Sequence, residues 1–115
     1  MKITIYQKPS CTTCKQAYTI LKEGGVDFDA VNYYVEPIPK KKLKELLKKL
    51  NMKARELLRT KDEKYKELEL DKKHFSEDEL IDMMSEFPDL IQRPIVEKGE
   101  RAILARPAER IKEIL

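Results

Sequence analysis

The chain opens with a short alternation of polar and apolar residues and then changes to a helical spacing. Over Lys2–Tyr6, Ile3 and Ile5 fall on one face, which predicts a β-strand. A helix is predicted from about Thr12 to Glu23, where a pair of glycines follows. The apolar residues at helical spacing in this stretch are Cys14, Ala17, Tyr18 and Leu21. Val26–Val35 is predicted as a second strand, parallel to the first because a helix connects them.

The middle of the chain has helical spacing throughout. Ser76 and Glu79 have the spacing of a capping box, which predicts that a helix begins there. The helical pattern consists of a leucine stripe at Leu43, Leu46, Leu47 and Leu50, two short segments at Ala54–Arg59 and Glu63–Leu68, and a last stripe at Leu80, Ile81, Met84 and Phe87.

The C-terminal part returns to strand patterns. Two short strands are predicted over Pro94–Glu97 and Arg101–Ala105, joined around Gly99 as a hairpin. Pro107 suits a first helical turn and therefore predicts a final helix.

The order of these elements is strand, helix, strand, a helical insert, then two strands and a helix. It predicts a single α/β domain over residues 1–115, with the insert between strands 2 and 3 at about residues 36–90. A chain of 115 residues is long enough to fold as one domain, and no repeat or long linker divides it.

Charge and hydropathy exclude several classes of partner. Charged residues make up 39% of the chain, yet the net charge is only +3 because Lys and Glu are interleaved. This pattern is typical of solvated helix faces, so we expect no direct nucleic-acid binding. No segment approaches the roughly 18 apolar residues of a membrane span, and the N-terminus lacks an apolar signal region. We therefore expect a cytoplasmic protein that does not bind membranes. The sequence carries no signal for the oligomeric state, so a monomer is taken as the default.

Cys11 and Cys14 are the only cysteines, and they stand at the turn between the first strand and the first helix. A Cys-x-x-Cys pair in this position is typical of thiol redox chemistry. Cys11 lies at the helix start, where the helix dipole favours a thiolate, and Lys8 is a candidate for an additional cation. Cys14, one turn further, is suited to resolve a mixed disulfide.

The alternatives to a redox centre are an inert pair of cysteines or half of a zinc site. Besides carboxylates, only His74 is available as a further ligand, so no metal is expected.

Three arginines are candidates for binding an oxyanion. Arg93 and Arg106 each precede a proline, and Arg59 follows a pair of leucines. The planar guanidinium group suits tetrahedral oxyanions, and a hydrogen bond to a charged partner contributes about 1.5–3 kcal/mol. Each arginine alone is most simply a surface residue, but the set could hold an oxyanion beside a thiolate.

Four stretches of the chain form a set of motifs: ITIYQKPSCT at 3–12, ARELLR at 54–59, QRPIV at 92–96 and RP at 106–107. Together they resemble the glutaredoxin-linked arsenate reductase family, a group that also includes the Spx regulators. The resemblance covers essentially the whole chain. It implies a thioredoxin/glutaredoxin-like fold, with a mixed four-stranded sheet flanked by helices, and a cis proline before the third strand that faces the active cysteine.

The resemblance also implies roles for individual residues. Cys11 is expected to be the catalytic cysteine, and Cys14 a second redox-active thiol. The expected oxyanion-binding residues are Arg59, Arg93 and Arg106, and the expected supporting residues are Lys8, Ser10, Thr12 and Pro94. Gln7 stands where these enzymes often carry a histidine, so that contribution to thiolate formation is absent here.

The implied reaction is attack of the Cys11 thiolate on arsenate or a similar oxyanion, followed by release of arsenite through a second thiol. The best-known members have a single cysteine and use glutathione and glutaredoxin. In this chain Cys14 could instead form an internal disulfide that thioredoxin reduces. No bound cofactor is expected, and either donor system remains open.

Two other functions remain open at this point. Cys-x-x-Cys is a hallmark of the Spx regulators, which bind the RNA polymerase α subunit and sense disulfide stress. Arg59 and the Arg106-Pro107 pair resemble the reductases rather than Spx, which favours an enzyme. A general thiol–disulfide oxidoreductase without arsenate activity is the third possibility.

Overall fold

The computed structural model describes residues 2–115, which form two compact units. The first unit combines the N-terminal segment through Glu36 with Arg93–Leu115, and the second spans Pro37–Gln92. That the chain is a single domain stays a prediction. Within residues 2–115, every helix is too short or too polar to cross a membrane.

The first unit is built on a mixed four-stranded sheet. Its strands are β1 (Ile3–Gln7), β2 (Phe28–Asn32), β3 (Ile95–Lys98) and β4 (Arg101–Leu104), arranged in the order β2-β1-β3-β4. β1 pairs with β2 in parallel, as predicted, and β3 is antiparallel to both β1 and β4. This α/β architecture confirms the predicted fold class.

Helix α1 connects β1 to β2 and spans Thr12–Glu23, as the sequence predicts. It packs with a C-terminal 3₁₀ helix, Ala108–Glu113, where an ordinary helix was expected. Together with the sheet they enclose one apolar core, whose buried members are Ile3, Ile5, Ala17, Leu21, Val96, Ile103, Ala105, Ala108, Ile111 and Ile114. Tyr18 is not part of this core: it is 36% exposed and packs edge-on against Phe28.

The second strand is shorter than predicted because Asn32 starts a turn. The Asn32 side-chain carbonyl accepts a hydrogen bond from the Tyr34 N–H at 3.0 Å. The Asn32 backbone carbonyl accepts from the N–H groups of Val35 and Glu36. Asparagine side chains compete in this way with strand pairing and favour turns. Tyr33 and Tyr34 therefore lie in a turn and not in a strand.

The hairpin of β3 and β4 turns at Gly99, as predicted, and this glycine has a positive φ of 59°. β3 begins at Ile95 rather than at Pro94, because proline has no N–H to donate to a neighbouring strand. The carbonyl of Pro94 nevertheless accepts a hydrogen bond from the Ala105 N–H at 2.9 Å. The two segments of the hairpin therefore stay paired beyond the ends of β3 and β4.

The second unit is helical. It contains α2 (Lys40–Leu50), α3 (Ala54–Leu57), α4 (Glu63–Glu67), α5 (Glu77–Glu86) and a 3₁₀ turn at Pro88–Leu90. Helices α2 and α5 pack against each other through the predicted leucine stripe and the last apolar stripe.

Two details of this unit test the sequence patterns. The predicted capping box of α5 is confirmed, since Ser76 and Glu79 exchange backbone-to-side-chain hydrogen bonds at 2.9 and 3.1 Å. α3 ends at Leu57, two residues before the predicted end, because Leu58 is extended and pairs with Ile91. Arg59 consequently lies on an extended segment after the helix.

The core under α1 should control the stability of the unit that carries the cysteines. Leu21 is fully buried in it, so Leu21→Ala is expected to lower the free energy of unfolding by about 2–5 kcal/mol. Gln16→Ala, on the exposed side of the same helix, should change it by no more than about 0.5 kcal/mol. Urea unfolding followed by circular dichroism measures both. Equal effects of the two substitutions would contradict this assignment of the core.

Candidate active site

Cys11 occupies the N-cap position of α1. Its backbone N–H donates to the Lys8 carbonyl at 2.9 Å, which closes the turn between β1 and the helix. Its sulfur accepts a hydrogen bond from the Cys14 N–H at 3.4 Å. A side-chain oxygen of Ser, Thr, Asp or Asn usually fills this position. Here a thiol receives the free N–H of the first helical turn, together with the positive end of the helix dipole.

Cys14 lies in the first turn of α1 and is fully buried. Both cysteines are free thiols, and the Cys14 thiol is close enough to hydrogen-bond with Cys11. The structure thus places the two predicted redox residues side by side, one accessible and one enclosed. Among residues 2–115, no three His, Cys, Asp or Glu side chains are grouped so that they could hold a metal ion.

The surroundings of the two thiols give them different pKa values. Partial burial opposes ionisation of Cys11, but donors from the Cys14 backbone, the Cys14 thiol and the Arg93 guanidinium outweigh it and lower the pKa of Cys11 to about 7. Burial raises the pKa of Cys14 to about 12, and the neighbouring Cys11 adds to this effect. Near neutral pH, Cys11 is therefore the more ionised and more reactive thiol, whereas Cys14 stays neutral.

Arg93 is the arginine that the structure places at Cys11. It precedes Pro94, its side chain faces the Cys11 thiol, and it is only 8% exposed. Its Nη1 donates to the Tyr34 hydroxyl at 3.2 Å, whereas its Nε–H is buried without a hydrogen-bond partner. A buried donor without a partner costs about 1–3 kcal/mol. The site thus contains a cation with one unused hydrogen-bond donor, the Nε–H of Arg93.

The peptide bond between Arg93 and Pro94 is cis, which confirms that prediction. The bond between Arg106 and Pro107 is also cis, which the sequence did not predict. Arg106 is exposed, and its Nη1 donates to the Arg93 carbonyl at 2.9 Å. Arg106 is thus tied to the backbone of the arginine that faces Cys11.

Arg59 belongs to the helical unit, where it is held by local partners. Its Nη1 lies 3.1 Å from the Asp62 carboxylate and 3.2 Å from the Asp89 carbonyl. The role of Arg59 in an oxyanion site stays a prediction. The same holds for Ser10, in the exposed turn before Cys11, and for Thr12, the exposed first residue of α1.

Tyr34 is the site residue that the sequence interpretation missed. The Lys8 ammonium lies 4.8 Å from the centre of its ring, and the Arg93 guanidinium carbon lies 5.8 Å from it. The Lys8 carbonyl belongs to the cysteine turn, and a supporting role of its ammonium at Cys11 stays a prediction. The signal that could have revealed Tyr34 was Asn32, since an asparagine two residues earlier is typical of a turn.

Comparison with known proteins places this chain in a family. The family model described as ArsC family matches residues 6–114. The chain belongs to the ArsC family. The match confirms the resemblance to arsenate reductases, and the thioredoxin-like fold of this family agrees with the sheet described above.

Individual members of the ArsC family are similar over their full length. The chain is 40% identical to the uncharacterized protein YfgD of Escherichia coli, with 99% of this chain and 97% of YfgD covered. It is 36% identical to an arsenate reductase of Haemophilus influenzae, with both chains covered completely. The structure of an arsenate reductase from Vibrio cholerae superposes with a TM-score of 0.95 at 34% identity, covering 100% of this chain and 98% of that one.

The acidity of Cys11 can be tested directly in this ArsC-family protein. Since only the thiolate reacts, the rate of alkylation by iodoacetamide should rise with pH to a plateau, with its midpoint near pH 7. Arg93→Met removes a cation that favours the thiolate, so the midpoint should move to higher pH. Arg101→Met, at an exposed position of β4, is the matched control and should leave the midpoint unchanged. A wild-type midpoint at the ordinary thiol value of about 8.5 would contradict the assignment.

Proposed function

We propose that this ArsC-family protein is a thiol-dependent arsenate reductase in which Cys11 attacks an oxyanion held by arginines. The observation that carries the proposal is the pairing of Cys11, at the N-terminus of α1, with the buried Arg93, whose Nε–H has no partner. Its relatives named arsenate reductase support the substrate class.

The arginines suit this substrate for an electrostatic reason. A thiolate and an arsenate are both anions and repel each other unless cations lie between them. Arg93 supplies a charge and an unused donor next to the sulfur, and Arg106 is anchored to its backbone. Positioned donors of this kind stabilise the charge that develops on the oxyanion as it reacts. Arg59 is assigned as the third ligand from the family resemblance.

The first chemical step joins sulfur to arsenic. The Cys11 thiolate forms a sulfur–arsenic bond, one arsenic–oxygen bond breaks, and the oxygen leaves as water after taking up protons from solvent. Arsenic remains pentavalent in this step, so no external electrons are needed. The low pKa of Cys11 matters here, because it keeps the sulfur ionised near neutral pH.

The second step uses Cys14 as the resolving thiol. The Cys14 sulfur attacks the Cys11 sulfur, a disulfide forms and the sulfur–arsenic bond breaks. Its electron pair passes to arsenic, which leaves as trivalent arsenite, while the Cys14 proton goes to the departing oxyanion or to solvent. Attack becomes easier at this stage, because the Cys11 thiolate that helps to raise the pKa of Cys14 has been consumed.

The electron donor depends on which thiol attacks the sulfur–arsenic adduct on Cys11. A Cys11–Cys14 disulfide would be reduced by a dithiol protein such as thioredoxin. Glutathione, attacking the adduct in place of Cys14, would leave a mixed disulfide for glutaredoxin. The closeness of Cys14 to Cys11 favours the first route.

The cysteine pair also supports a second candidate, general thiol–disulfide exchange without an oxyanion. An accessible thiolate beside a buried thiol is the arrangement that this chemistry requires. In an Spx-type sensor the same pair would control binding to the RNA polymerase α subunit. A pull-down of that subunit with reduced and with oxidised protein separates the sensor from the enzyme, since the enzyme should bind it in neither state.

Arsenate reduction by the purified protein tests the proposal. Arsenite should form when arsenate is supplied with thioredoxin and its reductase, or with glutathione and glutaredoxin. Cys11→Ser should abolish the reaction with both systems, because a serine hydroxyl is not ionised near neutral pH. Arg101→Lys, outside the site, should retain wild-type activity. Absence of arsenite from the wild type with both donor systems would rule out the proposed activity.

The role of Cys14 calls for a comparison of donors. Cys14→Ser should reduce the thioredoxin-coupled rate at least about tenfold, because no internal disulfide can form, and should retain part of the glutathione-coupled rate. Arsenite and the oxidation state of the thiols are measured in each case. An unchanged thioredoxin-coupled rate would show that Cys14 is only a buried core residue.

A further inference from the structure

Tyr34 lies beside two cations of the first unit, Arg93 and Lys8. Its hydroxyl accepts a hydrogen bond from Arg93 Nη1 at 3.2 Å. The Lys8 ammonium lies 4.8 Å from its ring centre, within the range of a cation–π interaction. One aromatic side chain therefore contacts the two cations through two different parts of its structure.

The local sequence holds Tyr34 in place. The Asn32 side chain accepts from the Tyr34 N–H, which fixes the backbone of the turn. The adjacent Tyr33 is fully buried, and its ring lies 5.2 Å from that of Tyr34 at an interplanar angle of 35°. The ring of Tyr34 thus stands on a buried aromatic neighbour, and its hydroxyl has little freedom to move away from Arg93.

Arg93 needs such a partner because a long side chain samples many rotamers. The partner's charge also matters. A carboxylate would hold the guanidinium but would neutralise it, repel an incoming oxyanion and disfavour the Cys11 thiolate. Among residues 2–115 no carboxylate forms an ion pair with Arg93. Burial opposes its charged form, and Tyr33, Tyr34 and Cys11 favour it. A tyrosine hydroxyl is a neutral acceptor, so it orients the guanidinium and leaves its charge available.

Arg59 shows the contrasting arrangement within the same chain. Its guanidinium forms an ion pair with Asp62 at 3.1 Å, which offsets its charge locally. The difference between the two arginines is therefore the kind of acceptor that holds each one.

We propose that Tyr34 is a positioning residue, whose hydroxyl holds Arg93 beside Cys11 and whose ring holds the Lys8 ammonium, so that both cations can act on an anion at the cysteine turn. The part that concerns a bound oxyanion rests on the proposed function. The part that concerns the Cys11 thiolate does not, because the contact of Arg93 with Cys11 belongs to the free protein.

Tyr34→Phe tests the proposal, because it removes the acceptor for Arg93 and keeps the ring under Lys8. We expect the pH midpoint of Cys11 alkylation to move upward and the KM for arsenate to rise about tenfold, with a smaller change in kcat. Tyr18→Phe is the matched control: it removes a hydroxyl from an exposed tyrosine of α1 and keeps its packing on Phe28. An alkylation midpoint and KM equal to those of the wild type would overturn the proposal.

A double-mutant cycle shows whether Tyr34 acts through Arg93. In an Arg93→Met background, Tyr34→Phe should cause no further shift of the alkylation midpoint, because the group that it positions is gone. Equal shifts in both backgrounds would mean that the effect is a general disturbance of the fold and would also overturn the proposal. Thermal unfolding of each variant confirms that folded proteins are compared.

The two readouts separate this proposal from the proposed function. If the wild type yields no arsenite with either donor, the reductase assignment fails, while the alkylation midpoint of Tyr34→Phe still decides the positioning role. If the wild type is active and Tyr34→Phe shifts neither the midpoint nor the KM, only the positioning role fails.

Discussion

The contact on which the candidate site depends is the hydrogen bond from the Cys14 N–H to the Cys11 sulfur at the start of α1. It makes the thiol part of the helix cap, so formation of the helix and stabilisation of the thiolate are one event. It also sets the spacing of the pair, since the residue that donates this N–H carries the second thiol. Burial of that residue in the first turn then makes the two thiols chemically unequal.

The surroundings of this cap are organised around a positive charge that stays available. Arg93 is buried next to the thiol, its guanidinium donates to the Tyr34 hydroxyl, and its carbonyl accepts from Arg106. Within the described part of the chain, no carboxylate pairs with this guanidinium. This arrangement has an energetic cost, because a buried guanidinium with a donor lacking a partner is less stable than a paired one. Under the proposed function, a bound oxyanion would supply the missing partner.

The sequence predicted the elements whose signals are local. Helix α1 has its predicted bounds, and the capping box at Ser76 and Glu79 forms as its spacing indicates. The errors fall where a local signal was overlooked or where another segment decides the outcome. Asn32 ends the second strand early, and pairing of Leu58 with Ile91 ends α3.

For the site, the sequence by itself determined the two thiols, their place at a helix start and the family to which the chain belongs. Only the tertiary structure decided that Arg93 faces Cys11 with an unused donor and that Tyr34 holds it. The physical reason is the separation of the contacting residues along the sequence. A helix cap depends on residues three apart, whereas these contacts join the segment before β3 to the turn after β2 and to the start of α1. Spacing along the chain cannot reveal them, because folding of the sheet brings them together.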